Sequence, residues 1–211
     1  MNALILVDIQ NDFLPGGALA VSEGDLIVPV ANKLIPLFDF VIATQDWHPA
    51  DHHSFASQHE EKEVGDIIQL NETDQILWPD HCVQETPGAA LHNELALHRI
   101  DQTVLKGTDQ QIDSYSGFFD NDNQQSTGLA EYLKEQGVTD VAVMGLATDY
   151  CVKFTALDAV GLGLETTLIK DGSRGVDLQP GDIERAVSEM SNAGVKIVDS
   201  DQIILNQKQQ K

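Results

Sequence analysis

The chain is poor in cysteine and has no long apolar runs. Only two of its 211 residues are cysteines, Cys82 and Cys151, which is too few for a disulfide framework. No apolar stretch approaches the length of a membrane span, and Asp8 and Asp12 interrupt the apolar start where a signal peptide would lie. These features predict a cytoplasmic protein with free thiols. A Cys82–Cys151 disulfide is the alternative, which a reducing compartment disfavours.

Basic residues are also scarce. Lysine and arginine together number 12 against 34 aspartates and glutamates, which gives a net charge of −22. Such a surface repels nucleic acid and anionic membranes, so we expect neither as a partner. Nucleotide motifs are missing as well: there is no Walker A pattern, and Gly161-Leu-Gly163 lacks the third glycine of a dinucleotide-binding turn. We interpret the acidity as a solubility feature or an adaptation to salt.

Apolar runs alternate with helical patterns at both ends of the chain. The predicted strands are 3–7, 40–43, 104–105, 141–145, 166–169 and 195–198, and the predicted helices are 25–37, 127–136, 148–161 and 181–192. Alternation of this kind is typical of a parallel sheet covered on both faces. We therefore predict an α/β fold, with a single-domain parallel β-sheet flanked by helices on both faces.

The middle of the chain has poor periodicity. Residues 47–102 contain all seven histidines and both tryptophans, and we interpret them as an elaborated connection that carries part of a site. We place a single domain at residues 1–206 and a frayed tail at residues 207–211.

Cys151 follows a predicted buried strand and opens a predicted helix. Thr148 is a suitable N-cap, which would place Cys151 in the first helical turn. A thiol there faces unpaired backbone N–H groups and the positive end of the helix dipole, and both favour the nucleophilic thiolate. The same junction can supply donors for an oxyanion. The alternative is an inert packing residue, as we interpret Cys82 to be.

Two charged residues end predicted strands. Asp8 follows the first strand, where a partly buried carboxylate could act as a general base. Lys106 closes the short third strand and could stabilise a carboxylate and a thiolate together, and Gly107 beside it would let other backbone approach closely. The alternatives are a turn or capping aspartate and an ordinary solvated lysine.

Asp46 and His48 lie two residues apart after the second strand, so their side chains point the same way in an extended segment. A carboxylate and an imidazole so placed can share a divalent metal, which His52, His53 or His81 could complete. An aspartate with two or three histidines suits zinc, iron or manganese. The alternative is a polar loop that carries surface histidines.

Taken together, these pieces resemble the isochorismatase-like cysteine hydrolases. Within that superfamily the chain is most similar to the metal-dependent bacterial nicotinamidases, also called pyrazinamidases. The similar segments span nearly the whole chain and are residues 7–13, 45–55, 78–82, 106–107, 113–118 and 145–151. The resemblance implies an isochorismatase-like hydrolase fold.

The resemblance also implies roles for individual residues. Asp8, Lys106 and Cys151 match the family's catalytic triad. A cis peptide is expected before Ala147, so that the backbone N–H groups of Ala147 and Cys151 form the oxyanion hole.

A metal site is implied in the same way. Asp46, His48 and His81 match the ligands of one divalent ion, with zinc favoured and iron or manganese as alternatives. His52 matches the position of a histidine that ligates in some members of the family, and His53 ranks below it.

The implied activity is the hydrolysis of nicotinamide to nicotinate and ammonia through a thioester on Cys151, in NAD salvage, with pyrazinamide as a further substrate. Phe13 and Trp78 match residues that sandwich the substrate ring, and Tyr115 matches a pocket residue more loosely. The expected partner is a small molecule, and a homo-oligomer is left open. The competing hypotheses are a carbamoyl- or ureido-specific cysteine hydrolase, a metal-free isochorismatase, and a non-enzymatic metal-binding protein.

Overall fold

The computed structural model describes residues 1–70 and 73–209. Its strands in this part of the chain are β1 Asn2–Val7, β2 Phe40–Asp46, β3 Ile67–Leu70, β4 Thr73–Ile76, β5 Gln102–Lys106, β6 Asp140–Leu146, β7 Glu165–Arg174 and β8 Lys196–Val198. Six of them form one sheet in the order β5-β2-β1-β6-β7-β8, and each neighbouring pair is parallel. The remaining two, β3 and β4, form an antiparallel hairpin.

Helices cover both faces of the sheet. They are α1 Ile27–Leu34, α2 Leu129–Glu135, α3 Lys153–Gly161, α4 Asp182–Asn192 and α5 Ser200–Gln209. Side chains from α1 and α5 pack into one core, whereas α2, α3 and α4 supply the other. Because side chains alternate along a strand, Leu4 and Leu6 of β1 enter the first core while Ala3, Ile5 and Val7 enter the second. This explains the unbroken apolar run of β1 and confirms the predicted fold class.

The predicted helices are confirmed with shorter α-helical cores. The pattern at 25–37 becomes α1 with a 3-10 turn on each side, and the second turn contains Pro36, which lacks an N–H to continue the helix. The pattern at 148–161 becomes a π-helical turn, Thr148–Val152, followed by α3. The β3–β4 hairpin and α5 were not predicted.

Helix α5 is the last element of the described residues. Its backbone extends through Gln209, into the predicted frayed tail, and residues 210 and 211 lie outside the described residues. The domain boundary at residue 206 stays a prediction. Over the described ranges, no helix is both long and apolar enough to cross a membrane.

The sheet brings separate parts of the sequence together at the carboxyl ends of its strands. Val7 of β1 pairs in register with Gly145 of β6, and Asp46 of β2 pairs with Lys106 of β5. Ligands of open α/β sheets bind beyond this edge. The residues that follow these strands are therefore the ones that can form a site.

Candidate active site

Asp8, Lys106 and Cys151 meet at this edge, and we call them the cysteine cluster. The Lys106 ammonium lies 2.9 Å from Asp8 Oδ2 and 3.4 Å from Cys151 Sγ. It also donates to the carbonyl oxygen of Ser114 at 2.8 Å. All three clustered side chains are buried. The alternative of an ordinary solvated lysine is therefore wrong for Lys106, because a buried ammonium is stable only among such partners. The Asp8 carboxylate contacts the Lys106 ammonium and the Thr44 hydroxyl, neither of which is a turn or capping N–H group.

Asp8 is set up to accept a proton near neutral pH. Burial raises the pKa of Asp8 to about 6, although the nearby Lys106 ammonium acts in the opposite direction. Thr44 fixes its orientation, because the Thr44 hydroxyl donates to Asp8 Oδ1 at 2.6 Å and accepts the Asp8 N–H at 3.2 Å. A general base is most effective when its pKa lies near the working pH.

Cys151 differs from the expectation in its protonation. Burial raises the pKa of the Cys151 thiol well above its usual value, and the Lys106 ammonium offsets this only in part. Thr148 does not cap the turn; the cap position belongs to Ala147, which makes no side-chain capping bond. The helix end was expected to favour the thiolate, but removal from water outweighs that effect and favours the thiol. Cys82 and Cys151 are both free, so the disulfide alternative is also wrong.

The cis peptide implied by the resemblance is confirmed between Leu146 and Ala147. It leads into the π-helical turn, in which the Val152 N–H donates to the Ala147 carbonyl oxygen at 3.1 Å. Gly145 precedes it with a φ of +134°, and a Cβ there would lie 2.1 Å from the Val7 carbonyl oxygen. Only glycine therefore allows β1 and β6 to approach this closely at the site.

Asp46, His48 and His81 form a second group, which we call the histidine cluster. Asp46 Oδ2 lies 3.7 Å from His48 Nε2 and 3.8 Å from His81 Nε2, and the three side chains are buried. His48 donates from Nδ1 to the Gly107 carbonyl oxygen at 2.8 Å, and His81 donates from Nδ1 to that of Pro79 at 2.7 Å. Both Nε2 atoms are thereby left as acceptors that face the carboxylate.

These three donors fit a divalent metal. One carboxylate oxygen and two neutral imidazole nitrogens suit zinc, iron or manganese. Burial alone would lower the pKa of His48, but Asp46 outweighs it and raises that pKa. The electrostatic potential at His48 thus favours a positive charge beside Asp46. The other oxygen of Asp46, Oδ1, lies 2.5 Å from Lys106 Nζ, so Lys106 connects the two clusters.

Gly107 allows a close approach, but by the His48 ring and not by other backbone as predicted. A Cβ at Gly107 would lie 2.4 Å from Cε1 of His48, and its φ is +60°. The imidazole therefore packs directly on the backbone to which it donates. A side chain at this position would push His48 out of the cluster.

His52 lies beside this cluster and outside it. Its ring centroid is 4.3 Å from that of His48. Its Nδ1 accepts the Ser54 N–H at 3.2 Å, and its Nε2 faces the Ile112 carbonyl oxygen at 3.4 Å. Burial lowers the pKa of His52 to about 4, so the ring is neutral with its proton on Nε2. His53 lies further away, against His59.

A cavity opens onto both clusters through Cys151, Asp46 and His81. Its lining residues are Phe13, Leu19, Asp46, Trp78, His81, Asp113, Tyr115, Ala147, Tyr150, Cys151 and Val176. Trp78 donates from Nε1 to the Tyr115 hydroxyl at 3.1 Å and packs edge-on against Tyr150 at 5.0 Å. A cavity lined by aromatic side chains with a few polar groups suits a small ring compound.

Some contributing residues were not predicted. Gln10 donates to the Asp46 carbonyl oxygen and accepts the Asp46 N–H, both at 2.8 Å, and so fixes the backbone of a cluster member. Gln10 lay in the segment 7–13, which carried the resemblance, but no role was assigned to it. Asp113 and Tyr150 line the cavity although neither was assigned a role. Asp113 lay in a segment that carried the resemblance.

Comparisons with known proteins agree with this geometry. The Isochorismatase domain family model matches residues 2–202. The chain is 52% identical over 201 residues to a nicotinamidase of Escherichia coli, covering 92% of this chain and 93% of that protein. It is 47% identical over 203 residues to a nicotinamidase of Acinetobacter baylyi, covering 96% and 94%.

Solved structures of similar proteins have the same fold. A nicotinamidase–pyrazinamidase of Acinetobacter baumanii superposes with a TM-score of 0.93 at 44% identity, covering 96% of this chain and 97% of that one. PnC1 of L. infantum, in complex with nicotinate, gives 0.83 at 37% identity, with 95% and 93% covered. A pyrazinamidase of Pyrococcus horikoshii, in complex with zinc, gives 0.76 at 40% identity, with 94% and 98% covered.

Proposed function

The chain belongs to the isochorismatase family, and on that basis we propose that it hydrolyses nicotinamide to nicotinate and ammonia through a thioester on Cys151. One observation carries the proposal. A buried thiol lines a cavity that also presents Asp46 and His81 of the histidine cluster, and a buried ammonium contacts both this thiol and a buried carboxylate. A nucleophile with its base and a separate group of metal donors are the parts that a metal-assisted amide hydrolase needs.

The cavity accounts for the substrate class. We assign Phe13 and Trp78 to the two faces of the pyridine ring and Tyr115 to its edge, with the carboxamide over Cys151. The ring nitrogen would then point towards Asp46 and His81. The nicotinate complex of the L. infantum relative supports a ligand of this size and shape. Pyrazinamide has the same carboxamide and a ring nitrogen in the corresponding place, so we include it as a substrate.

Acylation begins with proton transfer. Asp8 removes the thiol proton of Cys151, and the sulfur attacks the carboxamide carbon. Lys106 holds the carboxylate and the sulfur in register and compensates the charge that forms between them. The carbonyl oxygen becomes an oxyanion, for which the backbone N–H groups of Ala147 and Cys151 are the proposed donors.

Collapse of the tetrahedral adduct breaks the C–N bond. Asp8 returns its proton to the leaving nitrogen, ammonia departs, and the acyl group remains on Cys151 as a thioester. Asp8 then takes a proton from water, whose oxygen attacks the thioester carbon. The sulfur leaves, regains the proton from Asp8, and nicotinate is released.

The histidine cluster is the proposed metal site, with Asp46, His48 and His81 as ligands. A bound divalent ion supplies Lewis acidity that anchors and orients a pyridine ring. Zinc is favoured, with iron and manganese as alternatives, and the zinc complex of the Pyrococcus horikoshii relative supports this choice. His52 stays outside the proposed ligand set because both of its ring nitrogens face other partners.

A cellular role follows from the reaction. Conversion of nicotinamide to nicotinate returns the pyridine ring to NAD synthesis, and we propose this salvage role together with a cytoplasmic location. The two free cysteines are consistent with a reducing compartment.

The test is ammonia release from nicotinamide by the purified protein, measured before chelation, after chelation, and after zinc, iron or manganese is added back. We expect chelation to abolish turnover and one ion to restore it. Benzamide is the matched control, since it has the same carboxamide and lacks the ring nitrogen, and we expect a much higher KM for it. Absence of nicotinamide turnover with every ion, alongside turnover of a ureido or carbamoyl compound, would replace the proposed substrate.

A further inference from the structure

Asp113 is a buried carboxylate on the connection that follows β5. It is 4% exposed and lines the cavity with Asp46 and His81. One carboxylate oxygen of Asp113 and one ring nitrogen each from His48 and His52 lie within 4.8 Å of one another. Asp113 therefore adjoins the histidine cluster at His48.

Two neutral donors hold this carboxylate in place. The Ser114 N–H donates to Asp113 Oδ1 at 2.7 Å, and Gln75 donates from Nε2 to Asp113 Oδ2 at 3.1 Å. Gln75 is 3% exposed and belongs to β4, so the hairpin reaches the site through this side chain. The same amide lies 3.3 Å from the Tyr115 hydroxyl. These donors orient Asp113 but supply no positive charge.

The charge around the site is unbalanced. Lys106 lies within ion-pairing distance of both Asp8 and Asp46. In residues 1–70 and 73–209, no lysine or arginine forms such a pair with Asp113. Three buried carboxylates thus share a single buried ammonium. Buried charges are retained where they are paired or where they attend a metal. A divalent cation at the histidine cluster would supply the missing positive charge.

We propose that Asp113 is a positioning residue of the metal site: its carboxylate supplies the negative charge, beyond that of Asp46, that retains a divalent cation at His48, and Gln75 of the hairpin orients it. This inference rests on the proposed metal-dependent function. It assigns a purpose to the β3–β4 hairpin, which otherwise makes no polar contact with the clusters among the described residues. Residues outside the ligand set commonly affect metal affinity by about 10- to 100-fold.

The experiment measures the Zn²⁺ dissociation constant of the full-length, chelator-stripped protein by competition with a chromophoric chelator. We expect Asp113→Asn to bind Zn²⁺ about 10- to 100-fold more weakly than the wild type. Gln75→Met, which keeps the side-chain length and removes the donor, should bind it several-fold more weakly. Both dissociation constants are measured in the absence of substrate turnover.

Asp149→Asn is the matched control. Asp149 is 5% exposed and accepts the Val176 and Asp177 N–H groups at 2.9 and 2.8 Å, so it resembles Asp113 in burial and in partners. It belongs to neither His-containing group of candidate ligands. We expect its Zn²⁺ dissociation constant to equal that of the wild type.

Thermal unfolding of the stripped proteins separates a charge role from a purely structural one. A structural carboxylate would lower Tm when replaced, whereas removal of an uncompensated charge should leave the Tm of metal-free Asp113→Asn equal to or above that of the wild type. Wild-type Zn²⁺ affinity in Asp113→Asn, or equal weakening in Asp149→Asn, would overturn the inference. Failure of the wild type itself to bind any of the three metals would instead overturn the proposed metal role.

Discussion

The cysteine cluster and the histidine cluster share one cavity but are built in different ways. Every member of the cysteine cluster lies at or just after a strand of the central sheet, so the register of β1, β5 and β6 fixes its geometry. The histidine cluster takes only Asp46 from a strand, and its two imidazoles come from the long connection after β2. The sheet thus fixes the positions of the cysteine cluster, and the connection after β2 supplies the two histidines that lie beside it.

The two clusters also differ in how they hold charge. In the cysteine cluster burial outweighs Lys106, so the pKa of Asp8 and that of Cys151 are both raised. In the histidine cluster the opposite holds: burial acts to raise the pKa of Asp46, but Lys106 together with His48 and His81 outweighs it and lowers that pKa well below its usual value. One cluster is therefore suited to exchange a proton and the other to hold a cation. The predictions that follow test this division, beginning with the largest expected effect.

Removal of the nucleophile should separate the clusters most clearly. We expect Cys151→Ala to lower kcat by about 10⁴-fold or more, because the covalent route is lost. Its Zn²⁺ affinity should be unchanged, since the histidine cluster is intact. Stopped-assay kinetics and chelator competition measure the two quantities. A variant that retained a substantial part of the wild-type turnover would contradict the covalent scheme.

Lys106 is the contact between the clusters, so its loss should damage both. Lys106→Met leaves the carboxylates of Asp8 and Asp46 buried without their partner, and we expect the free energy of unfolding to fall by about 3–5 kcal/mol. Denaturant unfolding measures this, with kcat recorded in parallel. The control is Lys153→Met, which removes an ion pair to the exposed Glu189 and should cost less than about 1 kcal/mol. Similar losses in both variants would show that Lys106 has no special role.

A change confined to the histidine cluster should weaken the binding of Zn²⁺ and of the substrate. We expect His81→Ala to bind Zn²⁺ at least about 100-fold more weakly and to raise the KM for nicotinamide. Alkylation of Cys151 should proceed at the wild-type rate. His53→Ala is the control, because His53 packs against His59 away from the cluster and should leave Zn²⁺ affinity unchanged. Unaltered Zn²⁺ binding by His81→Ala would remove His81 from the ligand set.

Acid should inactivate the cysteine cluster by protonating its base. The pKa of Asp8 is raised to about 6, so the carboxylate needed for proton removal is lost as the pH falls through that value. We expect kcat/KM to decline about tenfold per pH unit below it. A pH–rate profile at saturating Zn²⁺ measures this. A profile that stays flat well below pH 6 would mean that Asp8 is not the base.

The smallest expected effect concerns the cavity wall. Tyr115→Phe removes the hydroxyl that accepts the Trp78 N–H. We expect a several-fold rise in KM with little change in kcat, in line with about 0.5–1.5 kcal/mol for one hydrogen bond. A loss confined to kcat would place Tyr115 in the chemistry instead of the wall.

The same division explains what the sequence could predict. Asp8, Lys106 and Cys151 each follow an apolar run, and parallel strands align their carboxyl ends, so pattern alone could suggest each as a candidate at one edge. Their assignment as one cluster came from the family resemblance. The protonation state of Cys151 could not be predicted, because the sequence shows the helix end but not the degree of burial that raises the pKa of the thiol.

The histidine cluster was harder to predict from sequence patterns. Residues 47–102 lack periodicity, so His81 could be joined to Asp46 only through the family resemblance. The hairpin was missed because β3 and β4 have four residues each and are largely uncovered, and Gln75 was missed with it. Asp113 gives no local signal, because what distinguishes it is that no lysine or arginine of the described residues forms an ion pair with it.

Acid-quench mass spectrometry during nicotinamide turnover tests the central claim most directly, because the claim is that the acyl group passes through Cys151 while the histidine cluster holds the ring. The account predicts a nicotinoyl adduct on the Cys151 peptide in the Zn²⁺-loaded protein and no adduct in Cys151→Ala. Nicotinate formation by Cys151→Ala at a rate near that of the wild type, with no adduct on the wild-type peptide, would contradict it.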